Sequence, residues 1–210
     1  MNTIYCYIYP DMADFEVTLL LHRLRCIGGR RIVTLAETME PVFSQSGLRY
    51  LPDETITQAS ADTAEALIIP GGPINNRQNA ILPLITQLLA QQKLVAAICF
   101  GPQFLARAGA LEGIPYTTSC TPDHIAQLGL DDPFPRESFV NQRVVEHGHI
   151  ITAQGHALVD FAQAVCRHLG AVEAQMEWEL FGKVRYTTDD RAVHSISHRK
   201  AAESLRNSNP

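Results

Sequence analysis

Leu94-Val95-Ala96-Ala97-Ile98-Cys99-Phe100-Gly101-Pro102 decides the fold. Its first five residues are an unbroken apolar run with the length of a buried strand. Gly101 and Pro102 then permit a tight turn and open a helix, because proline is tolerated in a first turn. Phe104, Leu105, Ala108 and Leu111 follow at helical spacing, and Gly113 stands where such a helix would stop. A strand that bends sharply into a helix lifts the residue at the bend above the sheet and aims free backbone N–H groups at it. Cys99 occupies that bend. A helix N-terminus favours negative charge, so the pattern predicts a reactive thiol of lowered pKa. A small buried structural thiol, the ordinary state of a free cysteine, is the alternative reading of the same residue.

Working outward, residues 66–69 form another buried strand, stopped abruptly by Pro70-Gly71-Gly72-Pro73, and residues 81–91 read as the helix between the two strands. Upstream, residues 3–9 are β-branched and aromatic and end at Pro10, residues 14–27 are helical and end at Gly28-Gly29, and residues 31–36 are a strand. Residues 41–51 are an extended or hairpin connection. Downstream come a short strand at 116–118, a short helix at 123–128, and a hairpin of 143–146 with 149–153 turning at His147-Gly148. Helices at about 158–169 and 172–181 close the domain. Strands alternating with helices imply an α/β three-layer sandwich whose mostly parallel central sheet is covered on both faces. The expected organisation is one domain over residues 1–182, with 183–210 a polar C-terminal appendage or tail.

The 210 residues suit such a domain: 46% are hydrophobic and 19% charged, as in an ordinary globular protein. Seventeen basic against twenty-two acidic residues give a net charge of −5, which carries no nucleic-acid footprint. No apolar run reaches the length needed to span a bilayer, and no signal-like segment opens the chain, so a cytoplasmic protein is expected. Five scattered cysteines, an odd number, fit reduced thiols rather than a disulfide framework. Cys6, Cys26 and Cys166 fall in apolar settings and read as core. His147 with His149, and His194 with His198, lack a third ligand at metal-binding spacing, so no metal is expected.

In a doubly wound sheet, ligands bind beyond the carboxyl ends of the strands. Residues 10–16, 70–73 and 99–101 all end strands on that edge. Gly71 and Gly72 let backbone come close to a ligand, and their N–H groups with that of Phe100 form a candidate oxyanion hole. Glu16 sits in the first turn of the first helix, between Phe15 and Val17. It either complements the helix dipole or, partly buried beside the thiol, holds a proton that it donates to the thiolate.

The set Asp14-Phe15-Glu16, Ile69-Pro70-Gly71-Gly72, Ala97-Ile98-Cys99-Phe100-Gly101-Pro102 and Ile151-Thr152-Ala153 resembles the ThiJ/PfpI superfamily, in order along most of the chain. The resemblance implies a flavodoxin-like sandwich related to class I glutamine amidotransferases, a homodimer, and no cofactor. It implies Cys99 as the reactive thiol, Glu16 as its hydrogen-bonded acid, and Gly72 and Phe100 as backbone donors. The chain departs from that pattern in two places. Members with protease-like activity carry His directly after the cysteine, where this chain has Phe100, so classical protease activity is not expected. Another common partner is a His after the strand that follows the elbow helix. Here Thr117-Thr118-Ser119-Cys120-Thr121-Pro122 stands, with no histidine until His124.

His156 is then the remaining candidate base; it follows the loop that presents the triad histidine in the amidotransferase relatives, although Leu158 replaces their usual acid. A histidine at a helix start is the alternative. Cys120 is a candidate resolving thiol, should Cys99 oxidise. The expected function is a cysteine-dependent hydrolase or lyase acting on a small carbonyl-, amide- or nitrile-like metabolite. The alternative is a non-enzymatic oxidative-stress sensor or chaperone-like protein using the same cysteine.

Overall fold

The computed structural model describes residues 3–74 and 79–171. Along the chain it runs β1 (Thr3–Tyr7), α1 (Phe15–Cys26), β2 (Arg31–Ala36), β3 (Val42–Phe43), β4 (Arg49–Tyr50), β5 (Glu54–Thr55) and β6 (Ala64–Ile69). It continues through α2 (Ile81–Ala90), β7 (Leu94–Ile98), α3 (Pro102–Arg107), α4 (Pro122–Gln127), β8 (Val144–His147), β9 (Ile150–Ala153) and α5 (Leu158–His168). Seven strands form one sheet in the order β5-β2-β1-β6-β7-β9-β8, while β3 and β4 pair as a separate hairpin. Every pairing in the large sheet is parallel except that of β8 with β9. The strands of continuous apolar sequence are the central ones: every residue of β7 is buried, as are the last four of β6. Such strands need cover on both faces. Helices α1 and α5 pack together on one face, burying Leu20, Leu24, Phe161 and Val165, and α2 and α3 pack together against β7. The expected α/β sandwich is the observed one.

The register carries the site. Ile98 pairs with Ala153 and Ala97 with both Ile69 and Thr152, so β6, β7 and β9 end at one level of the sheet edge. Three details differ from the sequence reading. Helix α3 stops at Arg107 rather than near Gly113, because Gly109 takes φ +70° and the N–H groups of Gly109 and Ala110 close on the carbonyls of Ala106 and Leu105. Leu111, outside the helix, is still buried. The strand expected at 116–118 is a single bridge between Tyr116 and Phe139, since the Thr117 N–H goes to the Thr152 hydroxyl rather than to a neighbouring strand. Cys26 is exposed at the end of α1. The helix expected at 172–181 and the tail at 183–210 lie outside the described residues, as do His194 and His198. No described helix is long and apolar enough to cross a membrane.

The α1–α5 layer is expected to be sensitive to cavities. Phe161→Ala should lower the unfolding free energy by about 3–5 kcal/mol in urea titrations. Val159→Ala, at a side chain 40% exposed on the same helix, should change it by less than about 0.5 kcal/mol.

Candidate active site

The bend after β7 is built at Cys99 itself. Its φ is +61°, a conformation that a residue with a Cβ adopts at a cost. Three hydrogen bonds hold it there: the Cys99 N–H donates to the Ala153 carbonyl at 2.8 Å, and the Cys99 carbonyl accepts from the Thr118 hydroxyl at 2.6 Å and the Ser119 N–H at 3.0 Å. Gly101 serves clearance rather than turn geometry. A Cβ there would lie 2.7 Å from the Pro70 carbonyl oxygen and 2.8 Å from that of Ile69. The elbow is therefore pressed directly onto the end of β6.

Glu16 is buried in the first turn of α1. Its Oε2 accepts from the Gly71 N–H at 2.8 Å, and its carboxyl is hydrogen-bonded to the Cys99 thiol. Two glycines wall the pair. A Cβ on Gly71 would stand 2.5 Å from Glu16 Oε2 and 2.7 Å from Cys99 Cβ, and one on Gly155 would stand 2.8 Å from Glu16 Oε1 and 2.9 Å from Cys99 Sγ. The thiol also meets the Ser119 hydroxyl and the Phe100 N–H. Ser119 Oγ in turn accepts from the Gly155 N–H at 2.8 Å. Neighbouring Asp14 does not cap α1 with its side chain; its Oδ2 accepts from the Tyr50 hydroxyl at 2.8 Å, which fastens the β3–β4 hairpin beside the helix start.

Burial raises the Glu16 carboxyl above its usual range, while the hydrogen bonds from Cys99 and the Gly71 N–H act against it. Burial, followed by the charge and hydrogen bond of Glu16, pushes the Cys99 thiol up to about 12; Ser119 and the Phe100 N–H work in the opposite sense. The lowered thiol pKa expected from the elbow is thus corrected. Helix α3 has only six residues, and its end effect is outweighed by desolvation and by a carboxylate in contact. Two groups this close titrate as a pair. Between their two ionisations they share one charge and one proton. Burial raises both groups, and the Glu16 charge adds to the rise of the thiol. Thiolate arises when the shared proton crosses to Glu16, a transfer favoured by whatever donates to sulfur.

The sequence-derived site residues divide into two groups. Cys99, Glu16, Gly71 and Phe100 come together. The N–H of Gly71 is occupied by Glu16, which removes it from the expected oxyanion hole. The N–H of Gly72 donates to no acceptor among the described residues, and a Cβ at Gly72 would meet the Tyr9 ring at 2.7 Å. His156 is exposed and makes no hydrogen bond to Cys99 or Glu16; its neighbour Gly155 already fills the space beside sulfur. Cys120 is buried, and the charged groups around its thiol are Arg136, Asp132 and Arg107 rather than Cys99. Sequence reading missed Ser119. Its signal was present as the residue standing where a histidine was sought. Next to the elbow, the Phe100 ring rests against that of His124, with centroids 5.2 Å apart.

A family model described as the DJ-1/PfpI family matches residues 2–168. Among solved structures, a DJ-1 superfamily protein from Agrobacterium tumefaciens superposes with a TM-score of 0.76 at 28% identity, over 86% of this chain and 96% of that one. An isonitrile hydratase of Pseudomonas putida is 26% identical over 95% of this chain and 90% of its own length. A glutathione-independent glyoxalase of Caenorhabditis elegans is 28% identical over 70% of this chain and 76% of its own length.

A shared proton gives a distinctive pH profile. Iodoacetamide labelling of the Cys99 peptide, followed by mass spectrometry, should show a shallow plateau through neutral pH and a further rise at alkaline pH. Glu16→Gln removes the charge that raises the thiol and the site that receives its proton. It should abolish the plateau and leave one transition below about 12. Gly155→Ala should slow neutral labelling by at least about tenfold through displacement of the pair, with exposed Cys26 in the same sample unchanged.

Proposed function

The chain belongs to the DJ-1/PfpI family, and on that footing we propose that it is a cysteine-dependent hydrolase or lyase for a small carbonyl-, amide- or nitrile-like metabolite. The observation that carries this reading is the buried hydrogen-bonded contact of Glu16 with Cys99 on an elbow held at φ +61°. A strained backbone and a buried acid beside a thiol are costly to stability and useful to nucleophilic chemistry. In the proposed step, Glu16 takes the thiol proton and the sulfur electron pair attacks the electrophilic carbon. An S–C bond forms, and the π electrons of the substrate move onto its oxygen or nitrogen. The N–H groups of Gly72 and Phe100 receive that developing charge. Glu16 then returns its proton to the same atom, so the adduct is neutral and the carboxylate is regenerated.

The names of the two relatives, a glyoxalase and an isonitrile hydratase, support a small substrate with an electrophilic carbon. Proteolysis fits poorly: Phe100 follows the nucleophile, and His156 is exposed. On the same footing the protein is proposed to act as a homodimer in a reducing cytoplasm, in keeping with its five free cysteines.

A substrate screen by NMR tests the reading. With a 1,2-dicarbonyl, an isonitrile and a primary amide offered separately, at least one should be consumed. Its kcat/KM should fall at least about a thousandfold in Cys99→Ala. Peptide substrates should remain at background. Equal consumption by the wild type and Cys99→Ala across all three classes would sink the proposal.

A further inference from the structure

We infer that the Ser119 hydroxyl, oriented by the Gly155 N–H, is the donor that stabilises the Cys99 thiolate, so that the sulfur is served by a non-titrating hydroxyl in a place where a histidine would titrate. The inference deepens the nucleophilic reading of Cys99 and rests on it for its catalytic meaning. Its structural basis is the way segment 117–119 is fastened. The Thr117 N–H donates to the Thr152 hydroxyl of β9 at 2.9 Å, the Thr118 hydroxyl to the Cys99 carbonyl at 2.6 Å, and the Ser119 N–H to the same carbonyl at 3.0 Å. Ser119 is thereby tied to the backbone of the residue whose side chain it touches.

The direction of the hydrogen bond follows from counting protons. A hydroxyl has one proton and two lone pairs. The Gly155 N–H, at 2.8 Å, occupies a lone pair of Ser119 Oγ and leaves the proton to be donated elsewhere. Gly155 also lies against Cys99 Sγ, which a Cβ on Gly155 would meet at 2.9 Å, and the Ser119 hydroxyl is hydrogen-bonded to the same sulfur. When the thiol proton passes to Glu16, the sulfur keeps the electron pair and becomes an acceptor only. Ser119 donates to that pair without giving up its proton. The same contact opposes the rise in thiol pKa caused by burial and by Glu16.

The chemical difference from an imidazole lies in pH behaviour. Histidine changes charge near 6.5, whereas a serine hydroxyl keeps its proton throughout the working range. The titratable groups facing Cys99 are Glu16 on α1 and Tyr9 beyond β1, and burial raises the Tyr9 phenol well above its usual range. The His124 ring rests on the Phe100 ring, and His124 is not among the groups acting on the Cys99 thiol. Between the ionisation of the Glu16–Cys99 pair and the alkaline rise, the thiolate supply is therefore flat.

Iodoacetamide labelling of Cys99 between pH 5 and 10 tests this in wild type, Ser119→Ala, Ser119→Thr and Ser119→Val. Threonine keeps the hydroxyl, and valine copies its shape without it. A lost donor lowers the thiolate fraction, and the greater nucleophilicity of the less stabilised sulfur restores part of the rate. The expected net loss of the neutral plateau is about three- to tenfold in Ser119→Ala and Ser119→Val. Ser119→Thr should stay within about twofold of wild type, and no variant should show a transition near pH 6.5. Wild-type plateaus in Ser119→Ala and Ser119→Val would overturn the inference. So would a loss in Ser119→Thr equal to that in Ser119→Val, which would make the effect steric. If Ser119→Ala unfolds, the threonine–valine pair still isolates the hydroxyl. Because labelling needs no substrate, failure of the substrate screen would defeat the proposed function and leave this result standing.

Discussion

A carboxyl and a thiol in contact, in a space with no room for another side chain, are what the surrounding backbone is arranged to hold. Gly71 and Gly155 exist as glycines because any Cβ there would displace Glu16 or Cys99. Gly101 is a glycine because the elbow touches the end of β6. The positive φ at Cys99 costs about 1–3 kcal/mol, and hydrogen bonds from Thr118 and Ser119 and to Ala153 oppose its relaxation. The parallel sheet supplies the rigidity: β6, β7 and β9 end together, so three loops meet within one residue's reach.

Burial does not make the thiol acidic here. It raises both members of the pair and makes the location of one proton, rather than its loss to solvent, the controlling variable. The Gly71 N–H stabilises charge on the carboxylate, while the Phe100 N–H and Ser119 stabilise charge on sulfur. The balance among three neutral donors sets how often sulfur is ionised. Such a balance uses no formal positive charge, which suits a site bordered by Tyr9, whose ring stacks on Tyr7 and meets Phe104 edge-on.

Much of this was legible in the sequence because it depends on local pattern. Apolar runs such as Leu94–Ile98 announce central strands, and Pro70-Gly71-Gly72 and Cys99-Phe100-Gly101-Pro102 announce where they stop. Glu16 was readable from its place in a helix start on the same sheet edge. The remainder depends on contacts between distant segments. Ser119 gains its role from residues 99 and 155, and no spacing rule links them. His156 is suggested by the loop it follows, whereas the residue that meets sulfur is Gly155, at a place where packing leaves no room for a side chain. The thiol pKa departs from the sequence expectation because a helix start is visible in sequence, whereas burial and a carboxyl brought from residue 16 are not.

The groups around Sγ come from residues 16, 71, 100, 119 and 155, and only one of them is a sequence neighbour of Cys99. A chain emerging from the ribosome with β7 already made therefore carries an ordinary cysteine. The unusual chemistry comes into being when β9 docks, long after the nucleophile itself has been synthesised. Parallel pairings that join such separated segments form late. Until then the thiol exchanges its proton with solvent, and only the closed site makes it share one with Glu16. In the finished protein, local opening of the β8–β9 edge would return the sulfur to that unremarkable state without unfolding the rest.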